Sequence, residues 1–430
     1  MRWCTSSRPW RPWSGSSGQG VVVKSPIGTE RLHRSAPALL AVSAVVLLAL
    51  TIPSQPNLVD FHVYVLGGAA LEHPGTLYTF AYSDQSPTQP LPFVYPPFAA
   101  ILFYPLHFLP FAAVGLLWQI AMIAAMYAIV RITQHMLGTG DVRAAMLWTA
   151  ALIWLEPARV SINLGQVGVF LTLAVLYAAY SSRWWVSGLL VGLAAGVKLT
   201  PAVTGLYFIG LRRWAAAAFS AIVFFATVAL SWLVVRDQVR HYFTEVMGDT
   251  SVNPIGIALN QSWRGGISRI VGHDAGEGTL VLIAILGTAV LAGLAWWVMG
   301  NRSGARDRLG SLLVVQLFGL LVSPISWVHH WVWVAPLIMW LLRGPWRDEP
   351  GARVLGWGWI AVTFVSVPSI LAMAEPSLWQ ISRPWYLAWA GLAYIAAAMA
   401  TLAWMVVTGR RLRSSSQVPA GDQPVTEKRW

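Results

Sequence analysis

Asp60 is the residue best placed to do chemistry in this chain. It sits in Asn57-Leu58-Val59-Asp60-Phe61-His62, directly after the first long apolar segment at 36–53. The loop that carries it, 54–92, holds Asp60, Glu72 and Asp84 and not one Lys or Arg, although the chain's net charge is +12. A carboxylate where a membrane helix meets water, with no cation beside it in sequence, suits a general base. Its competing use is structural, as the cap of a short amphipathic helix expected over 61–71. Glu72 and Asp84 are the rival bases. Glu72 precedes His73-Pro74-Gly75 and reads as a helix end, and Asp84 lies in a Ser/Gln/Pro-rich stretch that reads as solvated. Glu156, just before Pro157 and Arg159, reads as half of an interfacial ion pair.

Three groups of residues could serve an anion or a polar substrate. Lys198 lies in Gly192-Leu193-Ala194-Ala195-Gly196-Val197-Lys198-Leu199-Thr200-Pro201, deep within an apolar run. A lysine there costs roughly 2.5–3.5 kcal/mol on insertion scales unless it snorkels, so an anion-facing role is expected. Gly192 and Gly196 have the spacing that lets two helix backbones approach closely. His329-His330 follow Ser323-Pro324-Ile325-Ser326-Trp327. Adjacent histidines on a helix point about 100° apart, so one of the two could meet a phosphate while the other touches water or headgroups. A zinc site lacks a third ligand at suitable spacing. The loop at 236–277 contains Asn260-Gln261-Ser262-Trp263-Arg264, which offers hydroxyl-binding amides, a stacking face and a further cation. No nucleotide or metalloprotease signature occurs, so the donor of a transferase would be lipid-borne and no metal or cofactor is implied.

These residues need a membrane scaffold to hold them. The 430-residue chain is 56% hydrophobic and 11% charged, where a soluble domain would be about a quarter charged. Its one cysteine, Cys4, rules out intrachain disulfides. Apolar runs of spanning length fall near 36–53, 93–111, 112–135, 142–157, 163–180, 185–211, 214–235, 278–299, 309–324, 326–342, 354–373 and 385–408. The expectation is an all-α polytopic membrane helix bundle of about twelve spans, with outer-face loops and short helices. It divides into a basic tail (1–35), one transmembrane catalytic domain (36–408) and a second tail (409–430). Both tails, Arg212-Arg213, Arg302/Arg306/Arg308 and Arg343/Arg347/Arg353 hold most of the 29 Lys and Arg residues. With a cytoplasmic N-terminus all of these clusters fall inside, and 54–92, 236–277 and 374–384 fall outside. The spans within 136–185 are short enough to be re-entrant or half-length.

Taken together, Val59-Asp60-Phe61, Tyr95-Pro96-Pro97, Asn163-Leu164-Gly165-Gln166, Lys198-Leu199-Thr200-Pro201 and Ser323-Pro324-Ile325-Ser326-Trp327 with His329-His330 resemble the GT-C type glycosyltransferases. The resemblance, over roughly 36–408, is strongest to the polyprenol-phosphate-mannose-dependent α-1,2-mannosyltransferases that elongate phosphatidylinositol mannosides. It implies a plasma-membrane enzyme that uses polyprenol-phosphate-mannose as donor and a phosphatidylinositol mannoside as acceptor, with membrane lipids around it and no nucleic-acid partner. The active site would lie on the outer, periplasmic side. The family's first-loop acid maps onto Asp60. Many GT-C enzymes carry an acidic pair there; here Phe61 follows Asp60, which argues against a metal bridge through paired carboxylates. One base is enough, because a phosphodiester leaving group needs no general acid, unlike the leaving group of a glycosidase. Lys198, His330, His329 and Arg264 are the candidate donor-phosphate ligands, and Asn260, Gln261 and Trp263 the candidate acceptor contacts. The competing class is a transporter or flippase of a lipid-linked sugar, which should show an internal repeat that this chain lacks.

The topology is testable by single-cysteine labelling on a Cys4→Ser background. Asp84→Cys and Thr250→Cys should react with an impermeant thiol reagent on intact cells. Labelling of both only after lysis would reverse the orientation.

Overall fold

The computed structural model describes residues 27–54, 57–79, 81–82, 91–300 and 307–415. Cys4, Asp84, Arg302 and Arg306 lie outside them. The described chain is helical, apart from a short antiparallel ladder between Ala81–Tyr82 and Leu91–Pro92.

Among the described residues five helices are long and apolar enough to cross a membrane: Phe111–Met136, Trp214–Val246, Thr279–Val298, Ala352–Met373 and Ala393–Ser414. The remaining apolar runs resolve into shorter helices. The 142–157 run gives Val142–Leu152, followed by a separate helix Glu156–Leu164, and 163–180 gives Gly168–Tyr180. These have 11, 9 and 13 residues, which at 1.5 Å per residue fall short of the hydrocarbon core. Run length reports hydrophobicity, but the backbone can break inside a run wherever packed neighbours satisfy the freed groups.

Two of those breaks matter for the site. The 185–211 run is helical over Trp184–Val197, extended at Lys198 (φ −152°, ψ 131°), and resumes as a 3-10 turn at Thr200–Val203. Lys198 is therefore at a helix C-terminus rather than in mid-span. Pro201 cannot donate to a continued helix, and the carbonyl end of the helix dipole favours a cation there. The 326–342 run begins as a 3-10 segment Val328–Trp333 and becomes the α-helix Val334–Arg343.

Packing follows small residues and buried indoles. A Cβ on Gly192 would lie 2.7 Å from the Ser220 carbonyl oxygen, and one on Gly196 would lie 2.5 Å from Thr227 Oγ1. The expected close approach is thus between Trp184–Val197 and Trp214–His241. Trp331, Trp340 and Trp359 are buried in the main core. The Trp340 and Trp359 N–H groups donate to Asp307 and Thr401 at 2.6 and 3.0 Å, while the Trp331 N–H has no partner among the described residues.

Glu156 is fully buried, and its carboxylate accepts from Ser369 N at 2.9 Å and from the Tyr394 hydroxyl. The interfacial ion pair expected with Arg159 is replaced by this internal network. The sequence pattern could not show it, because both partners lie more than 200 residues away.

Candidate active site

Asp60 lies in the first turn of the Val59–Ala69 helix. The helix is capped by Leu58, in the left-handed conformation (φ 55°), with no side-chain cap, so the capping role is not the one Asp60 fills. Leu58 takes this conformation against the Glu156–Leu164 helix end. Its N–H donates to Asn163 O at 2.7 Å, and Asn57 Oδ1 accepts from Gln119 at 3.0 Å. Gly165 closes the neighbouring turn at φ 72°. A Cβ there would sit 2.5 Å from Phe61 Cβ, so only glycine lets the two turns meet.

That contact brings Gln166 to Asp60. The Tyr64 hydroxyl donates to Gln166 Oε1 at 3.0 Å and lies 3.1 Å from the Tyr95 hydroxyl. With its oxygen so occupied, the Gln166 amide N–H donates to the Asp60 carboxylate. Burial pushes the Asp60 carboxyl up to about 6 from its ordinary 3.8, against the smaller opposing pull of the Gln166 hydrogen bond and the Lys198 charge. The residue still keeps some accessible surface, so a hydroxyl can reach it. A carboxylate with these properties is ionised at neutral pH and more basic than a solvated one. Glu72, by contrast, is occupied by His107 at 3.0 Å and Tyr104 at 3.2 Å on an exposed surface.

Lys198 Nζ lies 5.3 Å from the centre of the Tyr95 ring and 2.9 Å from His330 Nε2. Lys198 is an obligate donor, so His330 Nε2 accepts and the imidazole proton sits on Nδ1. Lys198 keeps two further N–H donors. It opens into a cavity of about 290 Å³ shared with His330, Ser323 and Ser326 and walled by Leu171, Val203, Leu320 and Trp333. Ser326 is fully buried and its Oγ has no hydrogen-bond partner among the described residues. A cation, an orphan hydroxyl and an apolar wall in one cavity can hold an anion attached to a lipid chain.

The structure thus gathers Asp60, Lys198 and His330 and adds Gln166, Tyr64, Tyr95 and Ser326. Tyr95, Gln166 and Ser326 lie in motifs that carry the family resemblance; Tyr64 carries no such signal. His329 is buried behind its neighbour, its ring T-shaped to His330 at 4.7 Å, and does not line the cavity. Arg264 is not brought to this cavity. It holds Asp274 bidentately at 3.0 and 2.8 Å, which keeps the Asp274 carboxyl below the usual range. Asn260 and Gln261 are fully buried. Asn260 joins Ile255 O to Ser326 N at 3.1 and 2.9 Å, and Gln261 donates to Gly391 O and accepts from Tyr394 N at 2.8 and 3.0 Å. The Trp263 N–H is taken by Thr288 at 2.8 Å. These groups brace the 254–263 loop against the 324–328 turn, so their amides are spent inside the protein.

Comparison with known proteins places these features in context. Residues 93–324 match the family described as glycosyltransferase family 87. A polyprenol-phosphate-mannose-dependent α-(1-2)-phosphatidylinositol pentamannoside mannosyltransferase of Mycolicibacterium smegmatis is 62% identical over 379 residues, 87% of this chain and 92% of its own length. A protein of the same name from Mycobacterium tuberculosis is 58% identical over 398 residues, 91% of each chain. A phosphatidylinositol mannoside mannosyltransferase of Mycobacterium tuberculosis is 28% identical over 382 residues, 83% of this chain and 86% of its own. No solved structure matches the chain at a significant level.

The bracing role of Asn260 predicts a stability effect without a substrate effect. Asn260→Ala leaves Ser326 N–H and Ile255 C=O unpartnered and should cost about 1–3 kcal/mol, seen as a lower melting temperature in detergent. Its acceptor KM should stay at the wild-type value. A raised acceptor KM with unchanged melting would return Asn260 to the acceptor site.

Proposed function

The chain belongs to glycosyltransferase family 87, and from this premise we propose that it transfers mannose from polyprenol-phosphate-mannose to a phosphatidylinositol mannoside, forming an α-1,2 linkage. The pentamannoside in the names of the two relatives points to the acceptor class. The observation that carries the reading is the identity of 58–62% over nine-tenths of the chain, joined to a site with one base and one cationic, lipid-sized cavity. The alternative of a flippase has no support in the family assignment.

In the proposed mechanism the acceptor hydroxyl donates a hydrogen bond to Asp60. As its oxygen attacks the anomeric carbon of the β-linked mannosyl phosphate, the proton passes to the carboxylate. The bond from the anomeric carbon to the phosphate oxygen breaks on the opposite face. Polyprenyl phosphate leaves as an anion and configuration inverts from β to α. Lys198, held in place by His330, and the free Ser326 hydroxyl stabilise the growing phosphate charge. Gln166 keeps Asp60 aligned and ionised. The apolar wall beyond Lys198 takes the first isoprene units. Basic clusters at one set of loops and the Asp60 loop at the other support an outer-face reaction at the plasma membrane.

The test compares four variants at equal membrane abundance. Asp60→Asn should insert and bind both substrates, yet lose roughly 10²–10⁴ in transfer, while Glu72→Gln stays near wild type. Lys198→Ala should raise the donor KM or lower turnover by about ten- to a hundred-fold, as for a lost charge-assisted contact. Ser326→Ala should fall short of that. An active Asp60→Asn enzyme would end this mechanism, and wild-type kinetics in Lys198→Ala would remove that residue from the donor site.

A further inference from the structure

A second cavity, of about 390 Å³, touches neither Lys198 nor His330. Its walls come from the C-terminal end of the Ala36–Thr51 helix, from the Glu156–Leu164 helix, and from Phe364. Its polar lining is Thr51, Ser54, Arg159 and Asn163, with Arg159 the one charged residue. Arg159 Nη2 donates to Ser366 Oγ at 2.8 Å, and among the described residues Arg159 has no carboxylate within ion-pair distance, since Glu156 is held by Ser369 and Tyr394. Most of its five N–H donors are therefore uncommitted. Ser366 is a non-glycine residue in the left-handed conformation (φ 62°), at the break between two helices, and that conformation is what presents its hydroxyl to Arg159. The apolar rim is open: Leu50 is 59% and Phe364 64% exposed on a surface made for lipid. A guanidinium behind an apolar, lipid-facing rim is the arrangement that recognises a phosphodiester at the headgroup level.

The cavity also connects to the base. Asn163 Oδ1 accepts from Ser54 at 3.0 Å, and the Asn163 carbonyl holds Leu58, two residues before Asp60. Arg159 lies five residues before Leu164, the last residue of its helix, about 7.5 Å of helical rise, and the left-handed turn at Gly165 then leads to Gln166 beside Asp60. A pentamannoside carries several sugars between its phosphodiester and its terminal hydroxyl, so the headgroup site and the base are separate places joined by the glycan. The donor phosphate must sit next to the anomeric carbon and already has Lys198 and Ser326. A reaction between two anionic lipids needs two separate cationic sites, because like charges in one site repel.

We propose that the Arg159 cavity receives the phosphodiester headgroup of the acceptor lipid, so that its mannose chain runs past Asn163 to Asp60. This rests on the mechanism above, with Asp60 as base and Lys198 at the donor.

The test uses the full-length protein in nanodiscs of zwitterionic lipid and two acceptors with the same terminal mannoses. One is the phosphatidylinositol mannoside and the other a water-soluble oligomannoside with no phosphate. Arg159→Gln should raise the KM for the lipid acceptor about tenfold or more, as for a lost charge-assisted contact, and leave the donor KM and the reaction with the oligomannoside unchanged. Val160→Phe narrows the same cavity without touching charge and should give the same selective defect. Equal loss with both acceptors would mean Arg159 is only structural. A raised donor KM would move it to the donor. Normal lipid-acceptor KM in Val160→Phe would close the cavity as an entry route. Competition by phosphatidylglycerol as effective as that by the acceptor's own headgroup would make it a general lipid site. Each of these outcomes overturns the proposal. Failure of the underlying mechanism is read separately, from an active Asp60→Asn enzyme.

Discussion

The close approach of two turns at Gly165 organises this site. Phe61 and Leu58 meet the Asn163–Gln166 turn where no Cβ can fit, since a side-chain carbon on Gly165 would lie 2.5 Å from Phe61 and 2.9 Å from Leu58. Because the turns touch, Leu58 N–H reaches Asn163 O and the Trp118 indole reaches Gly165 O at 2.9 Å. Gln166 then falls beside Asp60, and Tyr64 fixes which way its amide points. The basicity of Asp60 is thus a product of packing, with burial raising it and one oriented amide restraining it.

Broken helices supply the rest. Lys198, Gln166 and His330 lie at or next to places where helical hydrogen bonding stops: an extended residue before Pro201, a left-handed glycine and a 3-10 segment. A continuous helix would send each side chain into a neighbour or into lipid. A break turns it toward a cavity and leaves backbone groups that neighbouring side chains take up, as Asn260 Oδ1 does for the Ser326 N–H at 2.9 Å. The same logic explains Ser366, whose strained turn serves Arg159 and whose following helix gives Ser369 N–H to Glu156.

Much of the site was legible because polar residues are rare in this chain. Asp60, Lys198 and His330 stand out from their apolar surroundings, and the structure brings them into one region. What could not be read was geometry set by distant partners. Arg264 looks like a free cation until Asp274 appears ten residues on, and Asn260 and Gln261 look like loop amides until Ser326, Gly391 and Tyr394 fold over them. Gln166 and Ser326 sat inside visible motifs, but only the fold shows one touching Asp60 and the other left without a partner. Hydropathy located the apolar runs well and overstated their continuity, because it carries no information about where a buried backbone may break.

The central claim is that a single, packing-tuned carboxylate does the proton transfer. Its most direct test is the pH dependence of mannose transfer by the wild type and by Gln166→Leu. A base must be unprotonated, so wild-type kcat/KM should be level near pH 7 and fall about tenfold per pH unit below about 6. Loss of stability from Asp60 itself cannot mimic this. A carboxyl with a raised native pKa stabilises the fold below its unfolded value, and that stabilisation fades as pH rises through about 6, the opposite direction. Gln166→Leu removes the hydrogen bond that favours the ionised form, so the acid limb should move to higher pH. An acid limb that stays in place in Gln166→Leu, or a wild-type profile flat from pH 5 to 8, would contradict the account.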